Sequence, residues 1–287
     1  MVEPLLRVED LNISFHGGRS VTHAVRGVSF EIGREKVGIV GESGSGKSQT
    51  GRAMLRLTPK GAKITAKTLN FAGIDLLAAS EPEMRNIRGK RISMILQDPK
   101  FSLNPLMRVG HQIVEAYRVH RPSSRAEARD KAMAMLEAVN IRNPARVFEL
   151  LPHEVSGGMG QRIMIAMMLI LEPDLIIADE PTSALDVTVR RQVLTILDEL
   201  VTRRGAGLMF ISHDLNMVAD FCDRVLVMYA GRIVEDIPAR DLRHAEHPYT
   251  RALLDSLPRL DRPVDMLTVP KRDPAWLTGP TIRGSFT

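Results

Sequence analysis

A chain of 287 residues with 44% hydrophobic side chains can bury a real core, as one large domain or two small ones. Its single cysteine, Cys222, excludes an internal disulfide and any four-cysteine metal or iron–sulfur site, and reads as a small buried hydrophobe beside Phe221. The net charge of +5 is a modest excess, and 4% aromatic residues supply few platforms for stacking nucleic-acid bases.

Met1-Val2-Glu3-Pro4 opens directly onto a strand-like pattern, which predicts no signal peptide. Leu5–Phe15 and Val25–Ile32 alternate apolar and polar residues, as antiparallel strands do, with Gly17-Gly18 as a turn between them. Lys36–Val40 is a short apolar run expected to be a buried strand. It leads into Gly41-Glu42-Ser43-Gly44-Ser45-Gly46-Lys47-Ser48, after which Gln49–Leu57 can continue as a helix. Thr68–Leu76 reads as strand, turn and strand with Gly73 at the turn. Arg91–Leu96 is another buried strand and ends on Gln97-Asp98-Pro99.

After Pro99 the pattern turns helical. Ser124 and Glu127 have capping-box spacing, and Ala128, Ala132, Met135 and Val139 follow at helical period. Ser156 then caps a helix that runs through Leu171. Asp174–Ala178 is a buried strand, and Val189–Arg203 a helix closed by Gly205. A strand at Gly207–Ile211, a helix after His213 and a strand at Arg224–Tyr229 complete the alternation. Such alternation argues for an α/β fold with a mostly parallel sheet. The expected organisation is a discontinuous core of residues 1–99 and 156–240, a helical subdomain at 100–155 and a tail at 241–287. The tail carries a short helix near Tyr249–Leu257, and about its last two dozen residues are expected to be extended or partly disordered. The longest apolar stretch, Ile163–Leu171, falls far short of the roughly 20 residues that span a bilayer, so a soluble or peripheral chain is expected.

The chemistry concentrates in a few places. Gly41–Ser48 spells a complete phosphate-binding loop: its glycines let main-chain N–H groups turn inward toward phosphate oxygens. Lys47 adds a point charge for the β- and γ-phosphates, Ser48 offers a hydroxyl to Mg²⁺, and the following helix presents its positive N-terminus. At the carboxyl end of the strand at 174–178, Asp179 and Glu180 suit Mg²⁺-dependent phosphate chemistry. Asp179 would hold the metal, and Glu180 would polarise an attacking water. Ser156-Gly157-Gly158 before a helix is either a second anion-binding motif or a plain cap. Gln97 and His213 each follow a buried strand, where either could serve the site, although a lone Gln is more often a surface residue and a lone His more often a hydrogen-bonded core residue.

Taken in order, these pieces resemble the nucleotide-binding subunits of ABC transporters over about residues 5–260. The resemblance rests on the Walker A loop Gly41–Ser48, the Q-loop at Gln97 and the signature Ser156-Gly157-Gly158-Met159-Gly160-Gln161. It continues with the Walker B strand ending Asp179-Glu180, the D-loop Ser183-Ala184-Leu185-Asp186 and the H-loop His213. Within that superfamily, Ser102-Leu103-Asn104-Pro105 after Gln97-Asp98-Pro99, Asp186-Val187-Thr188 and His247-Pro248-Tyr249-Thr250 resemble the oligopeptide, dipeptide and nickel importer ATPases. The resemblance implies a P-loop NTPase (RecA-like) core with an antiparallel β subdomain and an inserted α-helical subdomain, binding ATP and Mg²⁺. It assigns Glu180, His213 and Gln97 to catalysis, and Ser48, Gln97 and Asp179 to the metal. Ser156, Gly157 and Gly158 would cover a nucleotide held by a second cassette, and Phe15 would stack on adenine or else serve as a core strand residue.

The implied partners are two transmembrane permeases, a second ATP-binding subunit (a paralogue by resemblance) and, indirectly, a periplasmic solute-binding protein, with no nucleic acid. The implied location is the cytoplasmic face of the inner membrane. An exporter ATPase, a soluble ABC ATPase acting on nucleic acid and a non-hydrolysing regulatory subunit are the alternatives. Two departures stand out. Gly160 occupies a signature position where the family usually carries Arg, and the tail lacks the iron–sulfur cysteine cluster of some relatives.

Overall fold

The structure, a computed structural model, describes residues 3–17, 20–99, 102–183, 185–256 and 273–284. They divide into two compact units, residues 1–79 with 209–287, and residues 80–208.

In the first unit, β1 (Leu6–Gly17) pairs antiparallel with β2 (Ser20–Ile32), β4 (Ala62–Thr65) and β5 (Thr68–Phe71), and β6 (Ile74–Asp75) pairs with β5. Leu6, Val8, Leu11 and Ile13 are all buried, although strict alternation would turn Leu11 outward. The register shifts between Val8 and Leu11, where Asp10 takes a left-handed φ of 51° and Asn12 Oδ1 accepts the Gly27 N–H at 2.8 Å. A bulge restores Leu11 to the core. The hairpin extends further than its apolar pattern suggested, pairing Ser14 with His23 and Gly17 with Ser20. Residues 20–23 are exposed, the apolar Val21 included, so no buried apolar period marked them. Gly18, half of the expected turn, lies outside the described residues.

The same unit holds β3 (Lys36–Val40) parallel to β10 (Arg224–Tyr229). Next to β10 lies antiparallel β11 (Arg232–Pro238), and β12 (Ile282–Arg283) pairs parallel with β11. Arg224 ties this edge together. It grips Asp236 through two nitrogens at 2.7 and 3.2 Å and Glu35 at 3.1 Å, a bidentate pair with a third member. Helices α1 (Lys47–Met54), α8 (Leu215–Phe221) and α9 (Pro248–Asp255) complete the unit. The described part of the final stretch is extended only in part. Pro274–Leu277 is a 3₁₀ turn and Ile282–Arg283 is a sheet strand.

The second unit opens with α2 (Glu81–Ile87), capped by a reciprocal Ser80–Glu83 box. Strand β7 (Ile92–Ile95) runs parallel to β8 (Leu175–Asp179), and Arg91 Nε bonds Asp174 Oδ2 at 2.9 Å where both begin. Between them come α3 (Val109–His120), α4 (Arg125–Ala138), α5 (Pro144–Phe148) and α6 (Gly157–Leu169); α7 (Val187–Arg204) follows β8. Ser124 caps α4 through the Glu127 N–H at 3.1 Å. Gly110 lets α3 approach α5, since a Cβ there would sit 2.1 Å from the Phe148 ring. Strand β9 (Gly207–Ile211) spans the boundary between the units. Among the described residues, no helix is long and apolar enough to cross a membrane.

Candidate functional site

In the first unit, β3 delivers the chain into Gly41–Ser48. The loop is built so that glycine is required where the neighbouring backbone comes closest. Gly41 has φ 147°, and a Cβ on it would lie 2.1 Å from the Met228 carbonyl oxygen. Gly46 has φ 103°, and a Cβ there would lie 2.5 Å from the Ala24 carbonyl oxygen. Both obstacles are main chain, so neither can swing aside.

Lys47, in the first turn of α1 and 5% exposed, reaches back over the loop. Its Nζ donates to the Gly41 and Glu42 carbonyls at 2.8 Å each, which centres the ammonium within the ring of the loop. The Ser45 N–H donates to Glu42 O at 3.2 Å, and the Ser45 carbonyl accepts from the Gly231 N–H at 2.9 Å. Ser48, half-buried, stands one residue further along α1.

His213 belongs to the same unit. The Ser212 N–H donates to Ile39 O at 3.1 Å, so the end of β9 lies beside the strand that feeds the loop. His213 is the next residue and is exposed. Asp214 then caps α8 through the Met217 N–H at 3.0 Å. Phe15, half-buried near the end of β1, lies opposite Thr22 and Ala62.

The acidic residues lie in the second unit. Asp179 ends β8 and is 5% exposed. Glu180 follows with φ 48°, a left-handed conformation that costs a non-glycine residue on the order of 1 kcal/mol or more. The tight turn behind it holds that conformation: the Ser183 N–H and Oγ both donate to the Glu180 carbonyl, at 3.3 and 3.2 Å. Gln97, exposed, comes two residues after β7.

Ser156 caps α6, its Oγ accepting the Met159 N–H at 3.4 Å, and Ser156 and Gly157 are exposed. A Cβ on Gly157 would meet nothing within 4 Å. Gly160, where the family usually has Arg, is buried one turn in, and a Cβ there would meet only Pro99 at 3.5 Å. Buried Gln161 donates to the Pro181 carbonyl, tying the signature helix to the turn after Glu180.

The structure thus gathers Gly41–Ser48 and His213 in one unit, and Gln97, Ser156–Gly158, Asp179 and Glu180 in the other. Sequence reasoning missed two contributors. Gln161 entered only as the last letter of the signature, and Tyr249 only as the start of a tail helix and part of a family-specific stretch. The Tyr249 hydroxyl accepts the Glu42 N–H at 3.1 Å. The Cys222 thiol is buried and pushed well above its ordinary range by that burial, which fits an inert core residue.

A family model described as ABC transporter matches residues 25–183. A probable peptide ABC transporter ATP-binding protein of Sinorhizobium fredii is 53% identical over 260 residues, covering 88% of this chain and 77% of that protein. The oligopeptide transport ATP-binding protein OppD of Salmonella typhimurium is 46% identical over 279 residues, covering 96% and 83%. Among solved structures, the dimeric ATP-binding cassette MJ0796, bound to ADP and Pi in a post-hydrolysis state, superposes with a TM-score of 0.74 at 26% identity. That match covers 82% of this chain and 99% of the other. With the phosphate loop, the strand-end acids and the signature helix in family order, the chain belongs to the ABC transporter family and carries its ATPase cassette.

Proposed function

We propose that this chain is the ATP-hydrolysing subunit of an importer for peptides or a related solute such as nickel or an opine, working from the cytoplasmic face of the inner membrane. The observation that carries this reading is the identity of about half its residues to ATP-binding proteins named for peptide and oligopeptide transport. The same reading supplies the partners: two permeases, a second cassette (a paralogue) and, through the permeases, a solute-binding protein. It also divides the chain into an ATP-binding core at 1–99 and 156–240, a helical subdomain at 100–155 and a tail at 241–287.

ATP binds with its phosphates in Gly41–Ser48, where main-chain N–H groups and the Lys47 ammonium face the β- and γ-oxygens. Phe15 stacks on the adenine. The Ser48 hydroxyl, the buried Asp179 carboxylate and the Gln97 amide oxygen are all hard oxygen donors, the type that suits Mg²⁺. When bound, Mg²⁺ neutralises charge on the phosphate oxygens. Glu180, carried on its strained turn, takes a proton from the attacking water, and His213 orients the γ-phosphate. Exposed Ser156 and Gly157, with Gly158, cover the γ-phosphate held by a second cassette, so closure depends on that phosphate and its loss lets the pair reopen. The helical segment after Gln97 carries the change to the permease.

The test is Glu180→Gln in purified protein. Glutamine keeps the shape of the side chain but cannot accept the proton, so ATP binding persists while turnover falls by roughly 10²–10⁴. Normal turnover in that variant would remove Glu180 from its role.

A further inference from the structure

Tyr249 is fully buried, and its hydroxyl reaches Gly41–Ser48 across more than two hundred residues of sequence. It accepts the N–H of Glu42 at 3.1 Å. That N–H shares one planar peptide unit with the Gly41 carbonyl, and the Gly41 carbonyl is one of the two that hold the Lys47 ammonium at 2.8 Å. In a trans peptide the N–H and C=O point to opposite edges. Fixing the N–H edge therefore fixes the direction in which the carbonyl meets Lys47. Without an acceptor at that edge, the plane is freer to tilt and the ammonium with it.

Tyr249 is itself wedged in place by the C-terminal segment 273–284. Its ring lies 4.5 Å from Tyr229 and 5.6 Å from Trp276, and Trp276 stands edge-on to Tyr229 at 5.5 Å. Arg232 secures the segment by donating to the Leu277 and Gly279 carbonyls. The Thr281 hydroxyl donates to Ile233 O at 2.7 Å, and β12 pairs with β11. On the other side, the Tyr249 N–H donates to His247 Nδ1 at 3.1 Å. The buried Glu235 carboxylate accepts the Glu246 and His247 N–H groups at 2.7 and 3.2 Å. An aromatic cluster anchored at both ends thus holds the Tyr249 hydroxyl against the loop.

We propose that Tyr249 is a positioning residue for Lys47, and that the segment 273–284 sets the loop's grip on nucleotide by holding Tyr249 through Trp276. The proposal rests on nucleotide binding at Gly41–Ser48. It makes Trp276, the chain's only tryptophan, an optical reporter of that binding.

Three measurements test it: labelled-ATP equilibrium dialysis, steady-state ATPase, and Trp276 emission during an ATP titration. In the wild type, emission shifts with the same midpoint as dialysis. Tyr249→Phe keeps the ring and removes the hydroxyl that accepts the Glu42 N–H, so KM for ATP rises about fivefold to tenfold, as losing one buried hydrogen bond implies, while kcat stays within about twofold. Trp276→Leu leaves Tyr249 and the loop intact and raises KM in the same direction, which a fault confined to the phenol would not do. Wild-type protein that binds ATP with silent Trp276 emission, together with an unchanged KM in both variants, overturns the proposal and leaves the nucleotide reading intact. Wild-type protein that binds no ATP in dialysis overturns both.

Discussion

Gly41 and Gly46 of the phosphate loop and Gly157 of the serine–glycine motif look alike in sequence and meet opposite surroundings. A Cβ at Gly41 or Gly46 would press into fixed carbonyl oxygens of the same unit at 2.1 and 2.5 Å. One at Gly157 would meet nothing within 4 Å, and one at Gly158 only the Val189 side chain at 2.8 Å. In the phosphate loop, then, glycine is demanded by the chain's own fold. At Gly157 the fold makes no such demand, and under the proposed function the glycine leaves room for a second cassette's nucleotide. Burial follows the same division: Ser45 and Lys47 are buried, whereas Ser156 and Gly157 are exposed.

The comparison breaks most visibly at Gly46. Gly46→Ala adds a left-handed strain of about 1–3 kcal/mol to a clash with the Ala24 carbonyl, so denaturant unfolding should show a loss of about 3 kcal/mol or more, and ATP binding should fail. An unchanged unfolding midpoint would mean that the loop is less confined than its neighbours imply.

Gly157→Ala should separate stability from activity. Alanine in the first turn of α6 strengthens the helix by up to about 1 kcal/mol, so thermal stability should rise slightly. Under the proposed function the added methyl would face the partner's nucleotide, so ATPase activity should fall about tenfold or more, equivalent to about 1.4 kcal/mol. A variant that is both more stable and fully active would remove the partner from the explanation of Gly157.

The smallest effect is a pH dependence confined to the loop's own support. Burial pushes His247 below its ordinary 6.5, with the Glu235 carboxylate pulling weakly the other way. The unfolded chain therefore binds more protons than the folded one just below pH 6.5, and stability rises with pH through that window. Acidification from about pH 7 to pH 5 should lower the melting temperature, since protonating Nδ1 also removes the acceptor of the Tyr249 N–H. His247→Asn keeps an acceptor without titrating and should flatten that slope. A slope unchanged by the substitution would assign the pH dependence elsewhere.

Much of the candidate site was legible because the chemistry proposed for it needs particular residues in contiguous runs: a phosphate loop, a strand ending in two acids, a serine–glycine cap. Their context was legible as well, since β3, β7, β8, β9 and β10 are near-continuous apolar runs, as doubly covered parallel strands are. What escaped was held by long-range polar contacts. β11 carries Glu235 and Asp236, which read as solvated charges yet are buried. Arg224 meets Asp236, and the Glu246 and His247 amides meet Glu235. β12 is kept in place by Arg232 and Thr281 reaching main-chain atoms, which leaves no periodic trace. The Tyr249–Glu42 bond joins two segments that no local pattern relates.

The most direct measurement is a crystal structure of the Glu180→Gln protein with Mg-ATP. The terminal phosphates should lie against the main-chain N–H groups of Gly41–Ser48 and the Lys47 ammonium. Nucleotide bound at another place, with that loop empty, would contradict the role assigned to it.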